Sequence, residues 1–153
     1  MKRDLHFYME KAFQESVKAF NKDEIPVGCV IVFNDKIITS NHNITGEKCL
    51  QTAHAEMLAI ENACKALSTS FLTKCDLYVT MEPCPMCGYA IKLSRIRRVY
   101  FGCYNYKNGA FGGNLNLVNF GLGYNVDIYG GIQESKHSSL LKEFFSSKRK
   151  NFY

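Results

Sequence analysis

Long apolar segments are missing from this chain of 153 residues. No run approaches the roughly 18 consecutive apolar residues that a membrane-spanning helix requires. Charged side chains interrupt residues 1–11, which therefore lack the continuous apolar core of a secretory signal. Internal repeats, low-complexity tracts and linkers are also absent from the sequence. We therefore expect neither a membrane protein nor an exported one.

The composition excludes a disordered chain, since 46% of the residues are hydrophobic and 22% are charged. This length suits one hydrophobic core, so we expect a single domain over residues 1–153. The 7 cysteines are an odd number with no secretory segment before them, which favours a reducing cytoplasm. Some of these cysteines are expected to be buried as small hydrophobic side chains, namely Cys29, Cys64, Cys75 and Cys103.

The net charge of +5 is moderate, and its distribution is more informative than its size. Basic residues form two clusters, one of Arg95, Arg97 and Arg98 and one of Lys148, Arg149 and Lys150. Aromatic residues accompany the second cluster, namely Phe144, Phe145, Phe152 and Tyr153. Such a surface suits a partner with phosphates and exposed bases. A solvated helix face followed by a frayed tail explains the same composition equally well.

Proline is scarce too, with 3 residues, yet Cys84 has a proline on either side. The segment P-C-P-M-C carries Cys84 and Cys87, about thirty residues after the H-x-E of His54 and Glu56. Proline is tolerated in the first turn of a helix, where thiolates form more readily. Two thiolates and an imidazole give zinc three ligands and leave its fourth position open to water.

Zinc lowers the pKa of bound water to about 7, and a carboxylate such as Glu56 can move the proton released. The order H-x-E and then P-C-x-x-C is typical of zinc-dependent nucleobase deaminases. The donor set favours zinc over magnesium or calcium. The main alternative is a closed structural site, with a fourth ligand drawn from Cys103, Cys75, Cys49 or His42.

Apolar spacing predicts the remaining elements. We expect helices over residues 5–20, 53–67, 85–93 and 134–150, with Asp4 capping the first. Strands are expected over residues 27–33, 36–40, 76–81, 97–102 and 125–128, and an irregular loop over residues 105–116. The side chains of the last helix that we expect to face the core are Leu140, Leu141, Phe144 and Phe145. This order indicates one sheet packed between helices, with His54 near both motif cysteines.

Nearly the whole chain resembles the bacterial tRNA adenosine deaminases. The matching segments are I-P-V-G at residues 25–28, Asn43, T-A-H-A-E at 52–56, the run from 77 to 87, S-R-I-R-R-V-Y-F-G at 94–102, K-N-G-A at 107–110 and L-L-K-E-F-F at 140–145. The zinc motifs alone fit many deaminases. The loop at 107–110 and the Phe-Phe of the last helix narrow the resemblance to the tRNA group.

The resemblance implies an α/β/α sandwich with a five-stranded mixed sheet, like that of cytidine deaminase. It implies one zinc ion per subunit bound by His54, Cys84 and Cys87, with zinc-bound hydroxide attacking C6 of a wobble adenosine to give inosine. Glu56 would shuttle the proton from water to N1 and then to ammonia. The implied partners are a second copy of the chain and the anticodon stem-loop of an arginine tRNA. The implied substrate-binding residues are Asn43, Val27, Ala55, Asn105, Lys107 and Phe145.

Asn105 departs from the family, which usually carries aspartate at this position. An aspartate accepts a hydrogen bond from a ribose hydroxyl and repels nearby phosphate, whereas asparagine removes the charge. Since the 2′-OH distinguishes RNA from DNA, we expect this chain to separate the two less sharply than its relatives do.

Two other functions fit the same residues. A deaminase of a free base or nucleoside, such as guanine, cytosine or cytidine, shares the zinc site but does not need the basic, aromatic last helix. A non-catalytic, zinc-stabilised RNA-binding subunit is the second alternative. Glu56 argues against it, since a structural zinc site does not need that carboxylate.

Overall fold

The computed structural model describes residues 4–121 and 123–150, so Phe152 and Tyr153 of the predicted aromatic tail lie outside the described residues. The helices and strands follow one another as α1 (Leu5–Asn21), β1 (Gly28–Phe33), β2 (Lys36–His42), α2 (Ala55–Leu67), β3 (Cys75–Met81), α3 (Pro85–Leu93), β4 (Arg98–Cys103), a 3₁₀ helix (Leu117–Phe120), β5 (Asp127–Tyr129) and α4 (Glu134–Lys150). Within those residues, no helix has both the length and the apolar character to cross a membrane.

The strands form one five-stranded sheet in the order β2-β1-β3-β4-β5. Strand β1 runs antiparallel to both β2 and β3, while β3, β4 and β5 run parallel. Helices α1 and α4 pack on one face of the sheet, and α2 and α3 pack on the other. The predicted three-layer α/β/α sandwich with a mixed sheet is confirmed.

The alternation of side chains along β1 produces the two cores. Cys29 and Ile31 point into the larger core beneath α2, while Val30 and Val32 point towards α1. Successive residues of a strand face opposite sides of the sheet, so a strand covered on both faces is apolar throughout. The continuous apolar run in this strand therefore follows from its central position.

Gly28 allows α1 to lie close to the start of β1. A Cβ atom at this position would lie 2.0 Å from the carbonyl oxygen of Ala12 and 2.5 Å from the backbone nitrogen of Ser16. Any larger residue would push the helix away from the sheet. The close packing fixes the segment just before β1, which supplies Val27 to the pocket described below.

Two predictions about burial are corrected, and one short helix was not predicted. Cys64 is half-buried, because Ala59 and Ala63 define the inward line of α2 and Cys64 lies about 100° around the helix from it. In α4 the buried side chains are His137, Leu141 and Phe144, whereas Leu140 is half-buried and Phe145 is 42% exposed, so the prediction that Leu140 and Phe145 face inward is corrected. The 3₁₀ helix was not predicted, since its residues in the printed order L-V-N-F carry no helical periodicity.

Candidate metal centre and substrate pocket

The three predicted metal ligands lie at the N-termini of two helices. His54 is the N-cap of α2, Cys84 is the N-cap of α3, and Cys87 lies in the first turn of α3. N-cap side chains commonly bond to their own helix, but neither His54 nor Cys84 does so. Both side chains are therefore free to face each other across the gap between the helices.

The separation of these ligand atoms fits one zinc ion. The Nδ1 atom of His54 lies 3.7 Å from Sγ of Cys84 and 3.5 Å from Sγ of Cys87. Tetrahedral zinc, with Zn–S near 2.3 Å and Zn–N near 2.1 Å, places sulfur and nitrogen about 3.6 Å apart. The imidazole and the two sulfurs therefore match the donor set and the spacing of a zinc site.

The side chains proposed as a closing fourth ligand have other partners. The sulfur of Cys103 donates to the carbonyl oxygen of Thr80, and Nδ1 of His42 is 2.8 Å from Glu15. Cys49 is exposed and Cys75 is buried in the larger core. Across residues 4–121 and 123–150, the only grouping of three or more potential ligands is His54, Cys84 and Cys87.

A hydrogen bond between Cys84 and Cys87 moves the pKa values of the two thiols apart. The thiolate of Cys84 accepts a hydrogen bond from Cys87, which lowers the pKa of Cys84 to about 4. The same hydrogen bond raises the pKa of Cys87 far above its ordinary value, and burial raises it further. The hydrogen bond with Cys84 raises the pKa of His54. A metal bound here displaces the proton of Cys87, because cysteine binds metal as thiolate.

Glu56 lies beside this group in the first turn of α2 and is 4% exposed. Burial raises its pKa to about 7, because removing a carboxylate from water disfavours the charged form. A carboxyl group with this pKa can both accept and release a proton at neutral pH.

A pocket of about 450 Å³ opens over the metal ligands. Its walls include all of the predicted substrate-binding residues, which are Val27, Asn43, Ala55, Asn105, Lys107 and Phe145. The walls also contain residues that the sequence did not single out, namely Ile25, Thr45, Gln51, Met81, Glu82, Asn108 and Leu141. Two of these could have been found from their position next to a metal ligand in the sequence, since Gln51 closely precedes His54 and Glu82 closely precedes Cys84.

Asn43 is fixed deep in this pocket, where it is 4% exposed. Its backbone N–H donates to the carbonyl oxygen of Val27 at 3.0 Å, which joins two walls of the pocket. Its side-chain amide lies 3.4 Å from the hydroxyl of Thr45. An amide held in this way can offer both a donor and an acceptor to a bound base.

The arginine cluster lies at the other end of the sheet. Arg97 and Arg98 each make a two-pronged ion pair with Asp76 at the start of β3, whereas Cys84 and Cys87 follow its end. The guanidinium of Arg95 lies 4.1 Å from the ring centre of Phe71. These arginines therefore form local contacts and are not part of the pocket.

Comparisons with known proteins agree with this geometry. The family described as cytidine and deoxycytidylate deaminase zinc-binding region matches residues 2–103. The tRNA-specific adenosine deaminase of Bacillus subtilis is 42% identical over 144 residues, covering 94% of this chain and 89% of the relative.

Two solved structures are informative. A tRNA:A34 deaminase studied for A-to-I editing at the wobble position of transfer RNA superimposes with a TM-score of 0.82 and 38% identity, covering 88% of this chain and 99% of the other. Guanine deaminase from Bacillus subtilis superimposes with a TM-score of 0.64 and 35% identity, covering 67% of this chain and 66% of the other.

Proposed function

Because the chain belongs to the tRNA-specific adenosine deaminases of the cytidine and deoxycytidylate deaminase zinc-binding family, we propose that it hydrolyses the wobble adenosine of a tRNA anticodon to inosine. The observation that carries this proposal is the convergence of His54, Cys84 and Cys87 on one position, next to the buried Glu56, at the base of a pocket. That arrangement supports hydrolytic deamination, which needs an activated water and a proton carrier within reach of one ring carbon.

His54, Cys84 and Cys87 would hold the zinc ion. When bound, zinc supplies Lewis acidity that makes water a nucleophile at neutral pH. Glu56 takes a proton from the attacking water and delivers it to N1 of adenine. It then takes the proton of the hydroxyl newly added at C6 and passes it to the amino group, which leaves C6 as ammonia while the oxygen stays as the carbonyl of inosine. Burial suits Glu56 to this work, because a pKa of about 7 lets the same carboxyl act first as base and then as acid.

The remaining pocket walls are proposed to hold the flipped base and its neighbours. Asn43 hydrogen-bonds the base, and Val27 and Ala55 contact its faces. Asn105 and Lys107 lie at the mouth, where a ribose hydroxyl and a phosphate of the loop would come within reach. Phe145 is 42% exposed at the rim, which suits it to stack on an unpaired base.

We infer that the substrate is the anticodon stem-loop of an arginine tRNA and that the enzyme works in the cytoplasm, where that RNA is found. An unpaired anticodon base costs little to extrude, because it has no pairing partner to lose. The pocket opens to the surface beside Lys107 and α4, which leaves room for a loop rather than only a free base.

We infer further that the active form is a homodimer joined through α3. This helix starts at the metal ligands, and its outer face exposes Tyr89 (40%) and Leu93 (55%). Neighbouring segments add Val118, Phe120 and Tyr124, all partly or largely exposed apolar side chains. A patch of this kind beside the site suits a second copy of the chain.

Leu93→Glu should shift the protein towards monomer in size-exclusion chromatography with light scattering and lower inosine formation. Tyr129→Glu places the same charge at a similarly exposed aromatic residue on the opposite face of the sheet, where its ring stacks on Tyr100, and should leave the oligomeric state unchanged. A monomeric wild type at micromolar concentration would overturn the dimer.

The test of the activity is direct. Purified protein is incubated separately with an A34-containing arginine tRNA, free adenosine, cytidine and guanine, and ammonia and inosine are measured. We expect product from the tRNA. Guanine is included because the structure resembles that of guanine deaminase. Release of ammonia from guanine but not from tRNA would favour this second function.

A further inference from the structure

Glu82 is a buried carboxylate at the end of β3 that the proposed chemistry does not use. It is 2% exposed and stands between the last strand residue and the metal ligand Cys84. Its own backbone N–H donates to the carbonyl oxygen of Cys103 at 2.9 Å, which extends the pairing of β3 with β4. The residue is therefore fixed to the sheet from which the metal-binding segment departs.

The carboxylate of Glu82 accepts hydrogen bonds from three backbone N–H groups of a single loop. Oε1 accepts from Asn105 at 3.1 Å, and Oε2 accepts from Phe111 at 2.9 Å and from Gly113 at 3.0 Å. Hydrogen bonds to a charged acceptor are stronger than neutral ones, and a buried carboxylate without them would be costly. The loop over residues 105–113 is consequently folded around this one side chain.

Two glycines show how tightly the loop fits the carboxylate. A Cβ atom at Gly109 would lie 2.2 Å from Oε2 of Glu82, and one at Gly113 would lie 2.3 Å from Oε1. Either contact is well inside van der Waals distance, so any side chain at these positions would displace the carboxylate or the loop. The sequence thus supplies the buried acid and the small residues that together give the loop one shape.

The part of the loop between these bonds faces the pocket. Asn105, Lys107 and Asn108 line its mouth, and Lys107 and Asn108 are exposed. Of the three, Asn105 is bonded through its own backbone to Glu82, and Gly109 then donates to the carbonyl oxygen of Asn105 at 2.7 Å. The position of Lys107 relative to the metal ligands therefore depends on Glu82.

We propose that Glu82 is a positioning residue for RNA, which fixes the 105–113 loop so that Asn105, Lys107 and Asn108 meet the ribose and phosphates beside the target adenosine. The inference rests on the proposed function, since it assigns to this loop a role in binding the anticodon loop. Glu82 itself acts only through the loop and does not touch the reacting atoms.

Glu82→Gln keeps the size of the side chain but turns an NH₂ group towards backbone donors. Steady-state kinetics on an anticodon stem-loop should show KM raised at least about tenfold, as expected when a charged hydrogen-bond acceptor is lost, with kcat changed much less. Zinc content per chain should equal that of the wild type. Glu134→Gln is the matched control, because Glu134 makes only a long 3.4 Å contact to the N–H of Tyr104 just before the loop; its KM should not change.

Gly113→Ala disturbs the same contact from the loop side and leaves the Glu82 side chain chemically unchanged. It should raise KM as Glu82→Gln does. If the glutamine variant does not bind zinc, the KM of Gly113→Ala alone tests whether the contact between Glu82 and the loop matters for RNA binding. The double variant Glu82→Gln/Lys107→Ala supplies a second readout. If Glu82 acts by placing Lys107, removing Lys107 from the glutamine variant should raise KM far less than removing it from the wild type.

An unchanged KM in both Glu82→Gln and Gly113→Ala, with zinc bound, would overturn the proposal, and so would full additivity with Lys107→Ala. A fall in kcat alone would also overturn it. Failure of the proposed function has a different signature, since the wild type itself would then form no inosine in tRNA.

Discussion

At Asn105 one side chain both shapes the loop and lines the pocket. Its Oδ1 atom accepts a hydrogen bond from the backbone N–H of Asn108 at 3.0 Å, which closes a tight turn. An aspartate would accept the same bond, because its oxygens are acceptors too. The two residue types therefore build the same turn and differ mainly in charge at the mouth of the pocket.

Asn105→Asp should increase the preference for RNA over DNA. The added carboxylate can accept a hydrogen bond from a 2′-OH, which DNA lacks, while it repels the backbone of either nucleic acid. The measurement is the ratio of deamination rates on matched RNA and DNA hairpins. Asn62→Asp adds the same charge at an exposed position of α2 outside the pocket, and its ratio should equal that of the wild type. An identical ratio for wild type and Asn105→Asp would reject this explanation.

At the scale of the elements, the N-termini of α2 and α3 are the parts that zinc binding holds together. Each helix offers a ligand from its N-cap, and the two ligands come from segments 30 residues apart in sequence. A metal that bridges them replaces a capping interaction at both helices. It also favours the folded state over the unfolded one by mass action.

Removal of zinc with a chelator should lower the unfolding temperature and abolish inosine formation together. Added Zn²⁺ should restore both, whereas added Mg²⁺ should restore neither, because thiolates and imidazole suit zinc. Differential scanning calorimetry of the chelated and restored protein checks this expectation. An unfolding temperature that does not move on removal of the metal would contradict it.

Elements with a regular apolar pattern were predictable from the sequence, and those shaped by distant contacts were not. The start of helix α4 at Glu134 was predicted correctly, and the Asp4 cap is confirmed by a 2.9 Å hydrogen bond from the backbone N–H of Phe7. The 105–113 loop was predicted only as irregular, because its shape comes from hydrogen bonds to Glu82, more than twenty residues earlier. Phe145 was placed inward by its apolar character alone, since helical spacing cannot tell a core side from a pocket rim.

The exposure of Phe145 and the burial of Glu82 illustrate the same limit on predicting the site, because both follow from contacts made only in the fold. The ligands could be found because metal chemistry prescribes residue types and spacing. No comparable chemical rule identifies pocket-wall residues such as Thr45, Gln51 and Met81 from sequence. They could be recognised only from the structure, in which the fold brings them together.

For the whole molecule, His137 links stability to pH. It is 2% exposed where α4 packs on the sheet, its ring lies 5.6 Å from that of Phe13 on α1, and neither ring nitrogen has a hydrogen-bond partner. Burial lowers its pKa from 6.5 to about 4, with Lys136 lowering it further and Glu10 opposing. The folded state therefore keeps this histidine neutral.

His137→Phe should flatten the pH dependence of stability. In the wild type the unfolded chain gains a proton below about pH 6.5 that the folded chain does not gain until about pH 4. Stability due to this group is thus complete above pH 6.5 and is lost as pH falls, by up to about 1.4 kcal/mol per pH unit. Urea unfolding at pH 7.5, 6.0 and 5.0 measures the slope, with His6→Phe, at an exposed position, as control. Parallel curves for wild type and His137→Phe would contradict this account.

The most direct test combines metal content with inosine formation in Glu56→Ala and wild type. Both proteins are analysed for zinc per chain and then incubated with total tRNA, in which inosine is measured by mass spectrometry. The account predicts equal zinc, inosine formed by the wild type, and a rate about 10² to 10⁴ lower in Glu56→Ala. Glu61→Ala, at an exposed position on the same helix, should match the wild type. A wild type that deaminates tRNA without bound zinc, or a Glu56→Ala variant that keeps full activity, would contradict it.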